Sequence, residues 1–150
     1  MALTEQLKTQ CDRYLAEARD ARQKAGLCDG LFGMGKDPRK DPCHERFYQT
    51  LEKWSAEFLK LETTAEQKAA AAAWILKAAD EHRDEADVYW YLYAAQIHAV
   101  PIIAKLKQET AKELLQWYDQ AYPARERMPV QDQVYRALKK AARPGWVVKR

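Results

Sequence analysis

The side chains with the most chemical capacity crowd into one short stretch, CDGLFGMGKDPRKDPCH, Cys28 to His44, which combines two thiols, an imidazole, three cations, three glycines and two prolines. A phosphate site is the first chemistry to weigh. Gly30, Gly35 and Lys36 satisfy the G-x-x-x-x-G-K part of a P-loop, in which backbone N–H groups and the lysine surround the β- and γ-phosphates. The hydroxyl that would bind Mg²⁺ is replaced by Asp37, Pro38 stands where the helix should run on, and no strand precedes the motif. The pattern therefore does not predict a nucleotide site. Metal is the second. Cys28, Cys43 and His44, with His82 or His98 as a fourth, have the donor types zinc takes. Their spacing matches no recurrent zinc knuckle, and neighbours such as Cys43 and His44 on one helix point about 100° apart. HERFY carries Tyr48 where an HExxH motif needs its second histidine, and no Glu-x-x-His pair occurs. No metal and no other cofactor is expected.

RNA cleavage is the third. Arg39 and His44 form an R-x4-H pattern that resembles the active-site signature of HEPN ribonucleases, small helical bundles. The resemblance implies an arginine that steadies the scissile phosphate and a histidine that moves a proton. It covers these two residues; Lys40 follows the arginine where that family carries Asn, Asp or His, and Pro42 divides the motif at a helix start. Beside these chemistries stands a binding role, for which the stretch offers apolar contact through Leu31, Phe32 and Met34 and charge through Lys36, Arg39 and Lys40. Binding or regulation through this loop is the function the sequence favours, with an RNA-cleaving enzyme using Arg39 and His44 as the alternative.

These residues must be positioned by helices. Leu3, Leu7, Cys11, Tyr14, Ala18, Ala21 and Ala25 lie on one helical stripe, which Gly26 and the Gly-rich loop are expected to end. Asp41 as N-cap and Pro42 as first helical residue then open a second helix, with Phe47, Leu51, Trp54, Phe58 and Leu61 on its inner face. Thr63 to Glu66 reads as a capping box for a third helix containing five consecutive alanines. The polar run of residues 80–87 predicts a corner with Asp84 as the next N-cap, and its carboxylates around His82 read as a solvated helix start rather than an acid/base site. From Val88 the pattern broadens into the most buried helix, which Pro101 should kink or restart. Ile103 to Ala121 continues as one stripe, and Pro129 to Ala142 forms a short last helix, with Trp146, Val147 and Val148 packing back as an extended end. No segment alternates with period two, so the fold class is all-α: one compact bundle of five to six helices with a long Gly-rich loop between the first two.

Tyr89, Trp90, Tyr91 and Tyr93 point around a full helix circumference, which requires either a central helix covered on all sides or an interface such as a homodimer. The net charge of +3 divides unevenly: residues 125–150 carry eight Lys or Arg against Glu126 and Asp132, so +6, leaving −3 for the remainder. Arg136, Lys140 and Arg143 fall at i, i+4 and i+7 on the last helix, a basic face suited to a phosphate backbone, which makes non-catalytic nucleic-acid binding a further reading. A protein partner or self-association is favoured over it. The N-terminus lacks an apolar signal core, no run is long and apolar enough for a membrane span, and three cysteines without a CxxC pair suit a reducing compartment. A single-domain cytoplasmic protein is expected, with no membrane partner.

Overall fold

A computed structural model describes the backbone of residues 3–32 and 37–143 and the side chains of residues 5–25 and 37–143. Met34, Lys36, the extended end at Trp146 to Val148, and the side chains of Cys28, Leu31 and Phe32 lie outside the described residues. The described chain is all-helical: α1 (Leu3–Phe32), α2 (Pro42–Lys60), α3 (Ala65–Glu81), α4 (Ala86–Ala95), α5 (Val100–Ile103), α6 (Gln108–Ala121) and α7 (Pro129–Ala141). Tight 3-10 turns occupy Pro38–Lys40, Gln96–Ala99 and Ala124–Glu126, and no strand occurs among the described residues. No described helix is long and apolar enough to cross a membrane.

The stripe predicted for α1 is the buried one: Leu7, Cys11, Tyr14, Ala18 and Ala25 face the core, joined by Leu15. The helix does not stop at Gly26. It continues to Phe32, so the backbone from Cys28 to Phe32 is helical rather than looped. A glycine inside a helix costs only about 0.5–1 kcal/mol relative to alanine, which a long nucleated helix can carry. Helix α2 buries Phe47, Leu51, Trp54 and Phe58 against α1, whereas Leu61 falls at its C-cap and is exposed. The cap of α3 sits one residue later than the sequence pattern placed it, with Thr64 and Gln67 as the reciprocal pair. Ala71, Ala72 and Ala79 have no exposure at all, the close approach that a run of small residues permits.

Helix α4 opens at Glu85 rather than Asp84, without a side-chain cap, because the Glu85 carboxylate is held by Arg19 and His82. It is central along Val88, Leu92, Tyr93 and Ala95, while Trp90 stays 55% exposed. Pro101 acts as expected: the chain tightens into the Gln96–Ala99 turn and restarts as α5. Pro101 has no N–H to give to the His98 carbonyl, and the Ser55 hydroxyl donates to that carbonyl instead, at 2.9 Å. The stripe from Ile103 to Ala121 is not one helix, since the chain turns at Ala104–Lys107 before α6 begins.

At the centre lies a buried polar group. Gln96, fully buried, donates to the Leu76 carbonyl (3.2 Å) and the Tyr122 hydroxyl (3.4 Å) and accepts from Tyr118 (2.7 Å) and Gln131 (3.3 Å). Four elements, α3, the 3-10 turn, α6 and α7, are thereby tied at one amide. Its two donors and two lone pairs are all matched, which is what a buried amide needs.

Candidate functional site

The chemistry-bearing residues of the sequence meet where the chain enters α2. Two successive Asp-Pro steps build this junction. Asp37 accepts from the Arg39 N–H at 3.0 Å and caps the 3-10 turn that Pro38 begins; Asp41 accepts from the Cys43 N–H at 3.0 Å and caps α2, which Pro42 begins. Each aspartate satisfies an N–H that a helix start leaves open, and each proline brings a φ already suited to the first helical position. The same bonds hold both carboxyls below the usual carboxylate range, with the backbone N–H of Arg39 the main cause at Asp37 and that of Cys43 at Asp41.

His44, in the first turn of α2, has no solvent exposure. Its Nε2 lies 2.8 Å from the Pro38 carbonyl oxygen and its Nδ1 2.6 Å from the Tyr14 hydroxyl. A carbonyl can only accept, so Nε2 carries a proton; in the neutral imidazole Nδ1 then accepts and the Tyr14 O–H donates. Burial, followed by the neighbouring Cys43, pushes the Tyr14 phenol well above its ordinary value, which keeps that donor protonated. The imidazole stacks on Tyr91 at 4.5 Å and meets the edge of Tyr14, which itself stacks on Phe47 at 4.2 Å. The Tyr91 hydroxyl reaches the Arg39 carbonyl at 3.4 Å. Side chains from α1, α2 and α4 thus converge on the backbone of one five-residue turn.

Arg39 and Lys40 are exposed on the outside of that turn, and the Arg39 guanidinium lies against Asp37, 3.2 Å from its carboxylate. Arg39 and His44 make different bonds, the guanidinium to Asp37 and the imidazole to Tyr14 and the Pro38 carbonyl. The imidazole faces inward with both nitrogens engaged, so this arrangement offers no open nitrogen to a phosphodiester. Nor can His44 donate to a metal while those bonds stand. Cys43 is buried, and desolvation, followed by Asp41, raises its thiol to about 12. No group of three or more potential ligands occurs among the described residues.

Ion pairs brace the junction from the side. Arg19 grips Glu85 through two bonds, at 2.9 and 3.1 Å, and Arg22 grips Asp87 in the same fork-to-fork manner. These pairs fasten α1 to the start of α4 and hold Tyr91 over the imidazole. They line a shallow groove of about 510 Å³ with Gln23, Asp84 and Val88. Each carboxyl is held low chiefly by its arginine. Arg136 and Lys140 project from the face of α7 opposite the buried Val134 and Leu138, as the spacing predicted, whereas Arg143 is exposed two residues beyond the helix end.

Tyr14 and Tyr91 are the site residues that sequence reasoning did not single out. Both read as core aromatics, and no local signal joins them to His44. The Asp37-Pro38 step was not read as a cap, although it repeats Asp41-Pro42 four residues earlier.

Fold and site together define an all-α bundle with a braced, cation-bearing turn at one helix junction. Compared with protein families, curated proteins and solved structures, the chain matches none.

Proposed function

We propose that the protein is a non-catalytic binding module whose partner-facing element is the Asp37–Asp41 turn, with Arg39 and Lys40 presented to a carboxylate-bearing segment of a protein partner. The observation behind this reading is the commitment of a fully buried histidine to the turn's backbone while two cations point outward. Ordering a residue's backbone costs about 1–2 kcal/mol. A turn merely joining two helices could leave that cost unmet. Here Tyr14, His44 and Tyr91 offset it before any partner arrives, which is the form preorganised recognition takes.

The test is cross-linking mass spectrometry in an extract of the source cells with wild type and the Arg39→Glu/Lys40→Glu double variant. Both changes are exposed, so circular dichroism and the thermal midpoint should be unchanged. Cross-linked proteins recovered by wild type and lost by the variant are the expected result; identical sets would refute the assignment. Wild-type protein that cleaves RNA, with cleavage abolished by Arg39→Ala, would favour the catalytic alternative.

A further inference from the structure

Outside α7, Arg19, Arg22, Arg46, Arg83 and Arg127 are each paired with a carboxylate, and Arg39 shares its exposed turn with Asp37. The outer line of α7 differs. Gln133, Arg136 and Lys140 follow one another at intervals of three and four, all exposed, with Lys139 beside them and the exposed Arg143 two residues past the helix end. Asp132 pairs with Arg136 at 3.0 Å and is the last acidic side chain in the sequence; among the described residues no carboxylate is paired with Lys139, Lys140 or Arg143. From position 133 onward the chain carries Arg136, Lys139, Lys140, Arg143, Lys149 and Arg150 without a single Asp or Glu.

From this line we infer that α7 is a docking strip for the phosphodiester backbone of a nucleic acid, bound without regard to sequence. An anionic membrane would need exposed apolar side chains to insert, and on α7 Val134 and Leu138 have no exposure while Val130 and Tyr135 are half-buried. What remains outside is charge in a row, so the complementary object is a linear polyanion. Arg136 and Lys140 lie about 6 Å apart along the axis of α7, Arg143 follows two residues beyond the helix end at Ala141, and one nucleic-acid strand presents a phosphate about every 3.4 Å of axis. Lys139, Lys140 and Arg143, the three cations here without a paired carboxylate among the described residues, would meet about three phosphates, with Arg136 held by Asp132. The strip carries one amide, Gln133, at its margin, and its charged groups are cations in a row, the arrangement that follows a phosphate backbone. This surface is separate from the Asp37–Asp41 turn, so its test is independent of the proposed function.

The experiment is fluorescence anisotropy at 50–200 mM NaCl with a labelled mixed-sequence DNA duplex and a labelled single-stranded RNA, using wild type and Lys140→Glu/Arg143→Glu. With three phosphates neutralised, duplex affinity should fall with a log–log salt slope of about −2.7, about 40-fold over that range, and single-strand affinity with a slope of about −2.1. The variant should bind at least about tenfold more weakly at 50 mM, with a flatter slope, while its thermal midpoint stays at the wild-type value. Absence of binding to both probes at 50 mM NaCl, or equal binding by the variant, overturns the inference. Binding to phosphatidylglycerol vesicles or polyglutamate with neither nucleic acid bound would assign the strip to lipid or acidic protein and overturn it equally.

Discussion

Replacing His44 by alanine tests whether the imidazole is a brace or a chemical group. The side chain is fully buried and engaged at both nitrogens, so its removal strands the Tyr14 hydroxyl and takes the shorter of two bonds from the Pro38 carbonyl, which keeps only the Asp41 N–H at 3.4 Å. A stranded buried donor costs about 1–3 kcal/mol. The space left between Tyr14 and Tyr91 adds a cavity cost of about 1–2 kcal/mol. The expected loss is about 2–5 kcal/mol, centred on about 3.5 kcal/mol. Urea denaturation reads it as a drop in midpoint of about 2 M for a slope of about 2 kcal/mol per M. Tyr14→Phe strands only Nδ1 and should cost about 1–2 kcal/mol, and the double variant should fall short of the sum by at least about 1 kcal/mol because the two groups share one bond. Amide exchange at Arg39 and Lys40 should quicken in both single variants. A His44→Ala loss below about 1 kcal/mol, or additive effects of the pair, would refute the brace.

Burial holds the His98 imidazole below the ordinary histidine value of 6.5, the opposing carboxylate being Glu52. The unfolded chain therefore binds the proton first on acidification. Stability is complete above about pH 6.5 and falls as pH drops from there toward the folded-state value, with a slope of at most about 1.4 kcal/mol per pH unit. The His98→Leu variant should lose this component between pH 6.5 and 5 in thermal melts, and an unchanged profile would be contrary. The thiols of Cys11 and Cys43 are each raised to about 12, by burial first. At pH 8 neither should react with a chromogenic disulfide reagent in the native protein, whereas the denatured chain should release three equivalents.

Helix positions were largely legible because apolar spacing survives any tertiary arrangement, and the inner faces of α1 and α2 follow the predicted stripes closely. What escaped the sequence was set by partners distant along the chain. Glu85 displaced Asp84 at the start of α4 because Arg19, 66 residues earlier, claims its carboxylate. His44, on local evidence a first-turn residue with a side exposed to water, is buried because Tyr14 and Tyr91 enclose it from two other helices. The turn at Ala104–Lys107 carries no glycine or proline, so nothing local marked the break between α5 and α6.

Gln96 shows the same limit in the core. In the run VYWYLYAAQIHAV it reads as an interruption of an apolar helix, yet its amide meets Leu76, Tyr118, Tyr122 and Gln131. A leucine there would gain buried apolar area but leave the hydroxyls of Tyr118 and Tyr122 and the amide of Gln131 without these partners, each costing about 1–3 kcal/mol. Apolar contacts tolerate sliding, whereas this set of bonds is met in one register of α6 and α7 only. The register matters for the surface as well. Sliding α7 by one residue would turn Arg136, Lys140 and Arg143 by about 100° and carry the cationic line off the outer face. The buried amide inside the bundle and the basic strip outside it are therefore consequences of one alignment, in which polar groups at the core determine what the molecule presents to solvent.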